Sequence, residues 1–288
     1  MQRIIEVGGD EPVSLHARLG CLVATSKTNT EVRVPFPEIA VVVVGAQSTL
    51  SGSVLGSLGA FGAAVIAVDA RHVPVSLTLP LVGHTLHAER LRLQIEVLPR
   101  IAPAAWAQVV RAKIDAQAAL LADGAPLRAL AARVAPGDPA NIEAQAARLY
   151  WRALLGDDFR RDRSADGANR LLNYGYAVLR AIVARAVCAA GFHPALGLHH
   201  AGRDAFALAD DLMEPARPIV DRVVRQLVED WGTVRLDRSS KQEILGALLA
   251  PVAIGTALHS LFDAYGRVCS SLHDVLCRGE GELWLVKP

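Results

Sequence analysis

A chain of 288 residues that is 52% hydrophobic and 20% charged, with a net charge of +1, is long enough for one large domain or two ordinary ones and has the balance of a soluble, globular protein. No stretch reaches the roughly 18 unbroken apolar residues that a bilayer span requires. The start, with Glu6 and Asp10 close behind Met1, lacks the apolar core and cleavage site of a secretion signal. Neither a membrane association nor secretion is expected, and the expected location is cytoplasmic.

Residues 1 to about 80 carry strand signals. Val32-Arg-Val34 alternates, and residues 38–44 and 63–69 are apolar, β-branched runs. Pro35-Phe-Pro37, Gly45-Ala-Gln-Ser-Thr49 and the Ser/Gly-rich residues 51–59 mark turns between them, although residues 48–61 also suit a short helix joining two strands. That glycine-rich segment is no nucleotide loop, for it has neither Gly-x-Gly-x-x-Gly nor Gly-Lys-Ser/Thr.

After Pro80 the pattern becomes helical. Leu86, Arg90, Leu93 and Val97 share a helical register, with Pro99 and Pro103 expected to close that helix. Trp106, Val110, Ile114 and Leu121 predict a further helix of about four turns. Breaks fall at Gly124-Ala-Pro126 and Pro136-Gly-Asp-Pro139. Asp138 before Pro139 predicts an N-cap and a first helical position for a helix reaching Leu155, with Glu143 in its first turn. A polar loop over 156–167 leads to a helix over 168–190. Helices are also expected over 217–231, 241–249 and 254–276, with a short strand at 283–286. The fold class is thus α+β: a small β-rich domain over 1–82 followed by a larger all-α domain over 83–288.

Cys21, Cys188, Cys269 and Cys277 are scattered without any Cys-x-x-Cys pair, which argues against both zinc and a disulfide framework. The chemistry-bearing residues lie elsewhere. His199, His200, Asp210, Asp211 and Glu214 fall within sixteen residues, and imidazole with carboxylate is a donor set for Mg²⁺ or Mn²⁺ near phosphates. Asp211 and Glu214 are three apart, so a helix would put them on one face; the same spacing is also that of a helix capping box. Between Arg148 and Arg185 stand eight arginines against four aspartates, interleaved with Tyr150, Trp151, Phe159, Tyr174 and Tyr176. That region suits phosphate binding with base stacking, or equally a solvated helix face over core aromatics. Glu143, as a lone acid at a helix start, would need no more than the helix dipole to explain it.

Taken in order, Asn141-Ile-Glu-Ala-Gln-Ala-Ala-Arg-Leu-Tyr-Trp151, Asn169-Arg-Leu-Leu-Asn-Tyr-Gly-Tyr-Ala-Val-Leu-Arg180, Gly191-Phe-His-Pro-Ala-Leu-Gly-Leu-His-His200 and Asp211-Leu-Met-Glu-Pro-Ala-Arg-Pro218 resemble the motifs of the CRISPR-associated protein 1 family, the endonuclease/integrase of spacer acquisition. The helix with Lys113-Ile114 and Gln117-Ala118 is similar to the one that precedes them in that family. The resemblance implies a metal-dependent enzyme that joins the 3′-hydroxyls of a new spacer to the CRISPR repeat by phosphoryl transfer, with Mg²⁺ or Mn²⁺ as cofactor. It carries the ligand and catalytic roles onto Glu143, His200 and Glu214, with Asp211 and His199 in support. Arg148, Arg152, Arg170 and Arg180 become candidate DNA contacts. The partners it implies are double-stranded DNA, a second copy of the chain met through the β-domain, and a dimer of CRISPR-associated protein 2. The double histidine and the Asp-Leu-Met-Glu-Pro run most resemble versions from type II systems. Departures are Ala216 where an aromatic is usual, Asp115-Ala116 where an Asn is usual before Gln117, and a loop from Ala201 to Asp204 that is about a residue short. A non-catalytic DNA-binding subunit and an unrelated helical phosphoesterase are the rival functions.

Overall fold

The structure is a computed structural model that describes residues 2–8, 11–80, 85–199 and 205–288. The chain divides into two compact units, Met1–Thr85 and Leu86–Pro288.

The first unit holds two four-stranded sheets. One runs β1 (Arg3–Val7), β5 (Ile39–Val44), β7 (Ala64–Val68), β8 (Pro74–Thr78), in that spatial order; the other runs β4 (Glu31–Pro35), β3 (Cys21–Ser26), β2 (Val13–Arg18), β6 (Thr49–Leu50). β1, β5 and β7 are parallel, and β8 closes the first sheet antiparallel. A parallel neighbour needs a crossover, and α1 (Gly52–Ala60) supplies it between β5 and β7. The short-helix reading of the Ser/Gly stretch is therefore the one adopted. All six residues of β5, Ile-Ala-Val-Val-Val-Val, are buried, which is why this strand reads as an unbroken apolar run and not as an alternation. Leu15, Leu22, Phe36, Ile39, Val42, Val54 and Leu58 form the core of the unit.

The second unit is helical: α2 (His87–Glu96), α3 (Leu98–Leu120), α4 (Ala125–Ala131), α5 (Ile142–Leu155), α6 (Ala168–Ala189), α7 (Ala207–Met213), a 3₁₀ turn (Glu214–Ala216), α8 (Arg217–Trp231), α9 (Arg238–Leu248) and α10 (Leu261–Arg278). A small β unit followed by a larger helical one is the expected α+β class. Helix α6 is long and apolar enough to cross a membrane by length and composition alone, but 72% of its apolar window is buried inside the unit. That is the character of a core helix.

Several boundaries differ from expectation, each for a local reason. Pro99 does not close α2; it stands in the first turn of α3, where its missing N–H is one of the orphans anyway, and Pro103 is accommodated inside the same helix. Asp138 caps α5 from a distance. The helix starts at Ile142, after Asn141 in a left-handed conformation (φ +50°), while the Asp138 carboxylate accepts from the backbone N–H groups of Ile142 and Glu143, both at 2.9 Å. The segment expected as a helix from 254 instead begins with a hairpin, β9 (Val252–Ile254) and β10 (Ala257–His259). Gly255, at φ +59°, takes the first turn position, where a side chain would be strained. Only then does Ser260 cap α10, accepting from the Asp263 N–H. The strand expected over 283–286 does not form; an isolated bridge pairs Lys287, one residue beyond it, with Ala253.

Candidate active site

Three helical elements distant in sequence bring their charges to one point. Glu143 opens α5, Glu214 opens the 3₁₀ turn, and Lys113 lies in the middle of α3. The Lys113 ammonium sits 2.5 Å from Glu143 Oε1 and 2.6 Å from Glu214 Oε2. Lys113 is only 8% exposed and Glu214 only 3%. Burial pulls the Lys113 pKa down, but the Glu214 and Glu143 carboxylates more than reverse this and leave it above the ordinary range. On its other oxygen Glu214 takes a 2.9 Å ion pair from Arg217, at the start of α8. Two carboxylates within contact distance of a single cation, one of them almost wholly buried, are oxygen donors of the kind that hard divalent ions take. The residues present fit Mg²⁺ or Mn²⁺.

His200 and the loop over 201–204 lie outside the described residues, but the backbone just before them is held by hydrogen bonds. Asp211, buried in α7, accepts from the backbone N–H groups of Leu198 at 2.5 Å and His199 at 3.0 Å. Asp211 therefore sits inside a helix and anchors the preceding loop, which sets aside the capping-box reading. The loop comes so close that only glycine fits at 197: a Cβ there would lie 2.6 Å from Asp211 Oδ2 and 2.9 Å from the backbone of Ala207. The His199 ring stacks on Trp106 of α3, with centroids 4.5 Å apart and planes 3° from parallel. Among the described residues, no group of three or more His, Cys, Asp or Glu side chains is set to hold a metal ion.

Behind Glu214 and Arg217 lies a buried polar network that no motif marks. Asp221 of α8, fully buried, accepts from the Tyr150 hydroxyl at 2.7 Å and from the Tyr176 hydroxyl. Burial pushes its pKa up to about 6, against the opposing pull of the two tyrosine hydrogen bonds and of Arg217 and Lys113. The guanidinium of Arg217 lies over the Tyr176 ring at 4.8 Å from its centroid, and that of Arg161 lies 5.6 Å from it. Two of the aromatics in the basic stretch are thus occupied in the core. No local spacing signals such a network, because its members come from α5, α6 and α8.

The four arginines expected at DNA are placed unequally. Arg148 is exposed on α5. Arg152 pairs with Asp157 at 2.8 Å, both side chains being more than half exposed, and Arg170 pairs with Asp166 at 2.7 Å. Arg180 is different: it binds the buried Asp210 at 2.6 Å, next to Asp211. It stands at the site, though against a carboxylate.

The two units and this site define a class: a small β unit followed by a helical unit whose carboxylates converge on one buried cation position. A sequence profile described as CRISPR associated protein Cas1 matches residues 138–256. The CRISPR-associated endonuclease Cas1 of Neisseria meningitidis serogroup C (strain 8013) is 34% identical over 278 residues, covering 93% of this chain and 89% of that protein. The chain belongs to the Cas1 family. Its fold is also that of a casposase bound to its integration product (TM-score 0.80, 19% identity, 98% of this chain and 92% of that one). It matches equally a chain of a Cas6-RT-Cas1–Cas2 complex (TM-score 0.80, 17% identity, 99% of this chain and 36% of that one).

Proposed function

We propose that this Cas1-family chain is a metal-dependent DNA endonuclease/integrase of CRISPR spacer acquisition, joining spacer 3′-hydroxyls to the repeat by phosphoryl transfer. The observation that carries the proposal is the convergence of Glu143 and Glu214 on one cation position, 2.5 and 2.6 Å from the same nitrogen. Glu143, Glu214 and His200 would hold Mg²⁺ or Mn²⁺. When bound, the ion polarises a scissile phosphate and helps to activate the incoming hydroxyl. The remaining residues prepare that position. Arg217 fixes one oxygen of Glu214, leaving the other to face Glu143. Asp211 holds the backbone at Leu198 and His199, and with it the approach to His200.

Phosphate contacts fall to exposed arginines. Arg148 and Arg152 are best placed, because an ion pair as open as Arg152–Asp157 is worth little in water and exchanges readily for a phosphate. Arg170 has the same kind of exposed partner, whereas Arg180 positions Asp210. The double-stranded DNA partner is supported by the casposase likeness, and a Cas2 dimer by the likeness to a Cas1–Cas2 complex. The β unit, which holds no residue of the site, is left for the homodimer contact, and the wording around His199-His200 and Asp211-Leu-Met-Glu-Pro215 suits a type II system.

The test is strand transfer of a labelled duplex with free 3′-hydroxyls into supercoiled plasmid carrying a CRISPR repeat, with Cas2 and Mn²⁺ or Mg²⁺. Wild type joins the two in a metal-dependent way, and Glu143→Ala, His200→Ala and Glu214→Ala each abolish joining. Joining that survives all three substitutions places the chemistry elsewhere. Tight DNA binding without joining by wild type in either metal makes the chain a structural subunit.

A further inference from the structure

The meeting point of Glu143 and Glu214 is filled by a cation that the chain itself supplies. We propose that Lys113 is a tethered counter-ion that occupies the divalent-metal position in the metal-free protein, so that metal binding is an exchange in which the ammonium is displaced. The inference rests on the metal-site reading above and deepens it.

The charges make the case. Glu214 and Glu143 are two carboxylates turned towards each other inside a helical unit, and bringing like charges together in a partly buried site is unfavourable unless a cation stands between them. Lys113 stands there, 2.5 Å from one and 2.6 Å from the other, and is itself only 8% exposed. Arg217 is already engaged by the second oxygen of Glu214 and lies over Tyr176, and Arg180 by Asp210. Lys113 and Arg217 balance Glu143 and Glu214 one for one, with the buried Asp221 beyond them. A divalent ion added to that balance meets two positive groups within a few ångströms, and its position coincides with the ammonium. The two cannot share it. Arg217 is fixed by its stacking and its ion pair at a helix start, whereas lysine carries a compact charge on a four-carbon flexible stem. Lys113 is therefore the group that moves.

A purely structural lysine, one that stayed in place with metal bound beside it, would give a different result from an exchanging one. Displacement means that removing the ammonium strengthens metal binding, while a supporting role means that removing it weakens binding or leaves it alone. The readouts are metal affinity and metal-free stability, neither of which requires turnover.

The experiment compares wild type, Lys113→Met and Lys113→Arg by Mn²⁺ titration calorimetry and by thermal melting with and without Mn²⁺. Lys113→Met, with the carboxylate pair left uncompensated, should melt roughly 5–10 °C below wild type in the absence of metal. It should bind Mn²⁺ about tenfold more tightly or better, and Mn²⁺ should raise its melting temperature by more than it raises that of wild type. Lys113→Arg keeps the charge with a bulkier, less easily displaced head, so it should stay as stable as wild type without metal and bind Mn²⁺ more weakly. It remains informative if Lys113→Met fails to fold: unchanged Mn²⁺ affinity in Lys113→Arg then overturns the exchange. Equal or weaker Mn²⁺ binding by a folded Lys113→Met overturns it as well. Absence of Mn²⁺ binding by wild type, with Lys113→Met destabilised and not rescued by metal, overturns the metal-site reading itself and is distinguishable from both.

Discussion

Asp221 gives the helical unit a stability that falls with rising pH in a window where carboxylates usually do the reverse. Its carboxyl is buried, and burial pushes its pKa up to about 6 against the ordinary 3.8. Below about pH 4 it is protonated in the folded and unfolded chains alike. Between about 4 and 6 the unfolded chain releases the proton and the folded chain keeps it, so the folded state binds more protons and unfolding becomes easier as pH rises. Above about 6 both states are ionised and the loss is complete. A displacement of this size corresponds to about 3 kcal/mol, which for a helical unit of this length is roughly 6–12 °C in melting temperature.

Asp221→Asn removes the titration while keeping a carbonyl oxygen for one of the two tyrosine hydroxyls. The assay is thermal melting of wild type and Asp221→Asn from pH 3.5 to 7.5, read as the difference between the two, so that every other titrating group cancels. Wild type should lose stability relative to Asp221→Asn as pH rises through the window, and then run parallel to it. Parallel curves from pH 4 to 6.5 would refute the reasoning, as would a difference of the opposite sign.

Two further substitutions test how the ligands are placed. Asp138→Ala removes the acceptor for the Ile142 and Glu143 N–H groups. It should cost about 1–2 kcal/mol of stability, measured by urea unfolding, with Asp138→Asn retaining most of it. Gly197→Ala puts a Cβ 2.6 Å from Asp211 Oδ2, an overpacking worth about 1–3 kcal/mol. Because the same carboxylate holds the chain leading to His200, Mn²⁺ affinity should fall together with the melting temperature. A drop in stability with Mn²⁺ affinity intact would detach Gly197 from the site.

Much of the architecture was legible because it rests on local signals. Runs of β-branched residues bounded by Gly and Pro located β5 and β7, and a helical apolar register located α6 and α8 almost to the residue. Local signals failed where one segment could serve two structures. Residues 252–259 are apolar and continue the register of α10, so only the Gly255 turn and the Ser260 cap separate hairpin from helix. Pro99 reads as a terminator from one side and as a first-turn residue from the other. Asp138 is a cap in either case, but the left-handed Asn141 moved the helix start, and no helix propensity predicts such a turn.

The site shows a sharper division. Glu143, Asp211 and Glu214 were singled out because their neighbours in sequence repeat a family's wording, and wording of that kind marks candidate ligands. It does not mark what balances them. Lys113 lies thirty residues from Glu143 and stands opposite it only because α3 packs against the start of α5 and the 3₁₀ turn. Asp221 reaches Tyr150 across 71 residues and Tyr176 across 45. Yet an interior that gathers carboxylates must also hold cations and donors for them, since a buried charge without a partner costs several kcal/mol. Those partners are Lys113 in α3, Tyr150 in α5 and Tyr176 in α6, each a polar residue on an otherwise apolar helix face. A polar residue placed where the helical register calls for an apolar one is therefore the sequence signal that could have located the counter-ions, just as the motifs located the acids.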